Sequence, residues 1–140
     1  MSLDLTNLEN AVEALQLATD QVANEQLRAQ LGEPIFGIFR AGAIQCFEFT
    51  YELAWKFMKR WIETEVSPEG MEIIVRKELF RRAAEQGLID DVEPWFGYHK
   101  LRNTTSHTYA EAAAVSVVER LPAFLRDVTF LLEALRARNA

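Results

Sequence analysis

The stretch Arg102-Asn103-Thr104-Thr105-Ser106-His107-Thr108-Tyr109 gathers the residue types in this sequence that are best suited to chemistry. A guanidinium stays charged and carries a fixed fork of donors, which suits a phosphate. An imidazole takes or gives a proton near neutral pH. Arg102 and His107 together therefore suit metal-free cleavage of an RNA phosphodiester: the histidine takes the ribose 2′-hydroxyl proton and the arginine stabilises the phosphorane. The pair alone is a weak signal, because an arginine paired with an acid and a core or helix-end histidine form a commoner arrangement. Yet the run departs from ordinary helix composition. Thr104, Thr105, Ser106 and Thr108 are poor helix formers whose hydroxyls compete for backbone hydrogen bonds. On an ideal helix Arg102, Ser106 and Tyr109 share a face, while His107 lies about 140° from Arg102. A local break or the reach of the arginine side chain would bring the two together.

The elements that must position this segment read as helices throughout. Thr6-Asn7-Leu8-Glu9 has the form of a capping box opening a first helix, whose apolar positions Leu8, Val12, Leu15 and Val22 run on until Gly32-Glu33-Pro34. A second helix is predicted from near Ile35 to about Glu65, before Ser67-Pro68-Glu69-Gly70. It is apolar on most sides, which predicts a central position, or one face in the core and another against a partner. A third helix fits Glu72 to Gln86, stopped by Gly87 with Leu88 as its apolar follower. Asp90 to Glu93 repeats a capping pattern and starts a fourth near Val92. Glu111 to Arg138 is rich in Ala, Leu and Val, and Pro122 is expected to divide it by starting a new helix near Leu121. The expected fold is all-α: one domain over residues 1–140, an antiparallel up-and-down bundle of five to six helices.

Composition bounds the function. A chain of 140 residues with 49% apolar and 26% charged residues buries a real core without staples. A single cysteine, Cys46, excludes an intramolecular disulfide and fits a reducing compartment; its apolar helical setting reads as a small buried hydrophobe. No signal peptide or membrane span is visible, so a cytoplasmic location is expected. The net charge of −6 argues against a general nucleic-acid-binding surface. Its distribution is uneven. Up to Trp55 eight acids face two bases, which is the whole net charge. From Lys56 to Arg102 nine bases balance nine acids, with basic clusters at Lys56/Lys59/Arg60 and Arg76/Lys77/Arg81/Arg82. Such clusters are ordinarily solvated helix faces.

Glu48, Glu52 and Lys56 are spaced four apart on the second helix, where Glu52 and Lys56 suit an ordinary ion pair worth a few tenths of a kcal/mol. If that face points at the motif, Glu52 is placed to hold Arg102. Trp55, Trp61 and Trp95 read as core or dimer anchors. His99, three residues before Arg102, reads as an exposed helix histidine. Two histidines and one cysteine at these spacings match no tetrahedral zinc site, and Gly37 and Gly42 lie in an apolar helix pattern rather than a phosphate loop, so no metal or cofactor is expected.

The string Arg102-Asn103-x-x-Ser106-His107-Thr108-Tyr109 resembles the R-x4-H-x-Y motif of the HEPN superfamily. Phe47-Glu48-Phe49-Thr50-Tyr51-Glu52-Leu53-Ala54-Trp55-Lys56, and Gly87-Leu88-Ile89-Asp90-Asp91 followed by Trp95, are similar to its branch of nucleotidyltransferase substrate-binding proteins, related to HepT toxins. The resemblance runs from about Ile44 to Glu111 in three blocks. It departs at Ala110, where the family often has an acidic or polar residue. It implies a HEPN-like bundle that forms a homodimer and is encoded with a small MNT-type nucleotidyltransferase. It further implies that Arg102 and His107 are a ribonuclease pair, duplicated in one cleft by the dimer, with Asn103 orienting the pair or the phosphate. Tyr109 falls at the position that the partner enzyme adenylylates. Beside what the resemblance implies, Ser106, on the Arg102 face of an ideal helix, and Glu52 are the supporting candidates. Two function classes stay open: a HepT-like ribonuclease toxin, or a non-catalytic subunit that binds nucleotide or presents substrate to the nucleotidyltransferase.

Overall fold

The computed structural model describes residues 3–105 and 111–139. Among the described residues the chain forms six α-helices: α1 (Thr6–Val22), α2 (Glu25–Leu31), α3 (Glu33–Glu65), α4 (Arg76–Glu85), α5 (Val92–Thr105) and α6 (Glu111–Arg138). A short 3-10 turn, Met71–Ile73, precedes α4. The fold is the expected all-α antiparallel bundle. No helix among the described residues is long and apolar enough to cross a membrane.

The 33-residue α3 is the central element, about 50 Å long at 1.5 Å per residue. Phe36, Ala43, Phe47, Tyr51, Ala54, Met58 and Ile62 recur at helical spacing on its buried face. Against that face pack α1 with Leu8 and Leu15, α4 with Leu79 and Phe80, α5 with Trp95 and Tyr98, and α6 with Phe124 and Val128. Phe124 joins three elements: its ring lies 4.9 Å from that of Phe47, 4.9 Å from Tyr98 and 5.9 Å from Trp95, each edge-on. Such pairs add to the burial of their area and fix how α5 sits on α3. Among the described residues nothing covers the opposite side of α3, where Ile38 is 66% and Phe49 60% exposed, with Ile35 and Phe39 exposed on the same helix.

Local signals account for most boundaries. Gly87, at φ +74°, ends α4: its N–H donates to the carbonyl of Ala84 at 3.0 Å, and the Leu88 N–H to that of Ala83 at 2.9 Å. Leu88 is then buried. Asp91 Oδ1 accepts from the Glu93 N–H at 3.2 Å and opens α5. Four expectations need correction. The third predicted helix opens at Arg76 rather than Glu72, after the separate 3-10 turn Met71–Ile73. The first helix does not reach Gly32, because Asn24 starts a new one by accepting from the Leu27 N–H at 3.0 Å. Nor does Thr6 cap α1: it already lies inside the helix, and Asp4 Oδ1 accepts its N–H at 3.0 Å. Finally, α6 runs unbroken through Pro122. The ring is exposed, and the flanking Leu121 and Phe124 are buried on the same helix face. Core packing on both sides outweighs the one hydrogen bond that a proline cannot make.

Candidate functional site

The last turn of α5 carries Arg102 onto the middle of α3, where Glu48, Tyr51, Glu52 and Trp55 share a face by their i, i+3, i+4, i+7 spacing. Burial of Trp95 and Tyr98 on α5 and of Phe47, Tyr51 and Ala54 on α3 sets this crossing. Arg102 Nη1 donates to Glu48 Oε2 at 3.0 Å. The same carboxylate oxygen accepts from Thr105 Oγ1 at 2.9 Å, and that hydroxyl also lies 2.9 Å from the Arg102 carbonyl oxygen. Glu52 Oε1 is 3.6 Å from Arg102 Nε, an ion-pair contact beyond hydrogen-bond reach, so the buried Nε–H has no hydrogen-bond acceptor among the described residues. Glu52 Oε2 instead accepts from Trp55 Nε1 at 3.0 Å.

A second layer surrounds this pair. Tyr51 Oη lies 2.8 Å from His99 Nδ1, and Asn103 Nδ2 lies 3.5 Å from His99 Nε2. His99 is half-buried rather than the exposed helix residue the sequence suggests. Burial, with the charges of Arg76 and Lys77, holds its imidazole below the usual value, against the opposing pull of Glu52. Burial likewise raises the Tyr51 phenol, which stays protonated at neutral pH. From α4, the Arg76 guanidinium carbon lies over the Trp55 indole, 3.4 Å from the ring centroid. Its Nε is buried and has no hydrogen-bond partner among the described residues.

Arg102, Asn103 and Glu52 thus lie in one cluster. Ser106, His107 and Tyr109 fall outside the described residues. Sequence reasoning missed the role of Glu48 and read Arg76 only as part of a solvated basic cluster, whereas it is half-buried against Trp55. It weighed Glu48 only within the trio with Glu52 and Lys56, and the one signal for it was its place four residues before Glu52. Trp95 is a core residue, whereas Trp55 and Trp61 are half-buried with Arg76 and Arg138 over their rings. Cys46 is also half-buried, and burial pushes its thiol up, away from the reactive thiolate. A cavity of about 180 Å³ lined by Asp90, Asp91, Trp95, Arg126 and Asp127 sits at the opposite end of α5 from Arg102. Among the described residues no group of three or more His, Cys, Asp or Glu is arranged to hold a metal.

Arg102 is therefore a guanidinium held between two carboxylates, with donors left over among the described residues, at the border of the segment that carries the histidine. A fixed, charged fork of donors of this kind suits an anion such as a phosphate. A family model described as "Nucleotidyltransferase substrate binding protein like" matches residues 3–137. The protein named "Probable ribonuclease HepT" from Haemophilus influenzae is 36% identical over 138 residues, 98% of this chain and 94% of that protein. A solved Haemophilus influenzae structure, described as the fold of a substrate binding domain of a nucleotidyltransferase, superposes with a TM-score of 0.90 at 34% identity. That superposition covers 95% of this chain and 99% of the other. A crystal structure from Thermus thermophilus follows with a TM-score of 0.70 and 30% identity, covering 90% and 98%.

Proposed function

This chain belongs to the nucleotidyltransferase substrate binding protein like family, and on that premise we propose that it is a HepT-like, metal-independent ribonuclease neutralised by a nucleotidyltransferase partner. The observation that carries the reading is the aim of Arg102, the first residue of the R-x4-H-x-Y string, which Glu48 and Glu52 hold at the surface of the bundle. Arg102 takes the scissile phosphate through its remaining donors, and His107 removes the 2′-hydroxyl proton. The oxygen then attacks phosphorus, a phosphorane forms against the guanidinium, and the 5′-oxygen leaves with the proton that His107 took from the 2′-hydroxyl. Asn103 orients the phosphate or the imidazole, and Ser106 lines the same segment. A homodimer brings two copies of the motif into one cleft, and the exposed apolar side of α3 supplies the surface for it. Adenylylation of Tyr109 by an MNT-type nucleotidyltransferase sets an anion beside Arg102 and silences the toxin.

The second reading, a non-catalytic subunit that binds nucleotide or presents substrate to the nucleotidyltransferase, draws on the family description and on the net charge of −6. One experiment separates the two: incubation of the purified chain with RNA in EDTA. The ribonuclease reading predicts cleavage that is lost in His107→Ala; RNA that stays intact under all conditions favours the second.

A further inference from the structure

We propose that Arg76, with Lys77 beside it, forms a second phosphate subsite that holds the RNA backbone next to the phosphate on Arg102. The inference rests on the ribonuclease reading for its ligand. Three observations carry it. Arg76 has no carboxylate partner among the described residues, and its buried Nε–H has no acceptor. By contrast Arg28, Arg102 and Arg136 each face a carboxylate within 3.0 Å. A half-buried guanidinium with no carboxylate in ion-pair contact among the described residues is arranged for an anion that comes from outside.

The geometry fixes this cation relative to the motif. The indole of Trp55 carries Arg76 on its face at 3.4 Å, and its Nε1–H is tied at 3.0 Å to Glu52. The other oxygen of Glu52 faces Arg102 Nε at 3.6 Å. One carboxylate thus sets the position of both guanidinium groups, one directly and one through the indole that supports it. Trp55 is a platform for Arg76 rather than for a base.

Charge then continues away from the motif. Lys77 Nζ and the Arg81 guanidinium lie over the Phe96 ring at 5.8 and 5.7 Å, and Lys56 Nζ lies 5.6 Å from the Trp55 ring. Arg76 and Lys56 thus share the Trp55 ring, and Lys77 and Arg81 share that of Phe96 on α5, the helix that carries Arg102, with Arg81 also 3.7 Å from Glu78. A polyanion with regularly spaced charges fits such a set of cations.

The test uses full-length protein carrying His107→Ala, so that the RNA stays whole, and a short fluorescent single-stranded RNA in EDTA. Anisotropy titrations across a salt series give the affinity and its salt slope. Arg76→Gln should weaken binding about tenfold and lower the slope by roughly 0.7, the share of one phosphate contact. Arg126→Gln, an exposed cation on α6, should change neither by as much. Circular dichroism confirms that each variant is folded. Binding and slope unchanged in Arg76→Gln overturn the subsite, as does a loss confined to capture of the nucleotidyltransferase chain with RNA affinity intact. RNA that is bound through Arg76 yet never cut by the parent chain would leave the subsite standing and overturn the ribonuclease reading instead.

Discussion

Glu48 on α3 and Arg102 on α5 meet at 3.0 Å across 54 residues of sequence. Their side chains are only 25% and 26% exposed, so water screens the pair less than it would at an open surface. The bond occupies one arm of the guanidinium and aims the rest. Neutralising Glu48 should therefore damage function more than folding. Glu48→Gln is expected to lower RNA cleavage about tenfold, a change of roughly 1.4 kcal/mol in the barrier. Urea unfolding should shift by about 1 kcal/mol or less. Cleavage rates and denaturation of the same preparation check both halves. Intact activity would show that the pair does not position Arg102.

The environment of His99 gives a signed dependence on pH. Tyr51 and Glu52 face it from α3, Arg76 and Lys77 from α4, and Asn103 from its own helix. Its folded imidazole titrates below the usual value of about 6.5 that the unfolded chain keeps. The unfolded state then binds more protons across that window, so the contribution of His99 is full above about pH 6.5 and is lost as pH falls through the folded value. Unfolding midpoints measured from pH 7.5 down to 5.5, a window spanning roughly one unit either side of the imidazole value, should decline. The decline should be smaller in His99→Gln. A midpoint that rises on acidification, with His99→Gln removing the rise, would contradict the sign.

The uncovered side of α3 predicts association. Ile35, Ile38, Phe39 and Phe49 are exposed along one helix, and Val115 on α6 is exposed as well. Sedimentation at micromolar concentration should give a dimer. The double change Ile38→Glu and Phe49→Glu should yield a folded monomer, since both side chains already face outward. A monomer from the unmodified chain would remove the two-copy cleft.

Tyr109 tests the partner. With an MNT-type nucleotidyltransferase, ATP and magnesium, the intact mass should rise by one or more AMP units and cleavage should stop. An added phosphate beside Arg102 competes for the cation that RNA needs. An equal mass shift in Tyr109→Phe would place the modification elsewhere.

The sequence made the frame legible where local signals decide. The long apolar α3, the Gly87 stop and the start near Val92 all follow from periodicity, an αL glycine and a capping aspartate. Pro122 misled because its local penalty is real but smaller than the packing of Leu121 and Phe124 around it. The break at Asn24 was hidden because the apolar spacing ahead of it runs smoothly to Val22. In the site, residue type, the hydroxyl-rich run and the likeness to the R-x4-H-x-Y motif singled out Arg102. Its contact with Glu48 depends on where α5 crosses α3, and the seat of Arg76 on Trp55 depends on how α4 docks. Neither crossing is written in any local window.

The chemistry of the cut ends tests the central claim most directly. Attack by a ribose 2′-hydroxyl deprotonated by His107, against a phosphate held on Arg102, leaves a 2′,3′-cyclic phosphate on one product and a 5′-hydroxyl on the other. Mass spectrometry of RNA incubated with the purified chain in EDTA should show those ends, and neither Arg102→Ala nor His107→Ala should produce them. A 3′-hydroxyl paired with a 5′-phosphate, or cyclic ends that persist in both variants, would contradict the account.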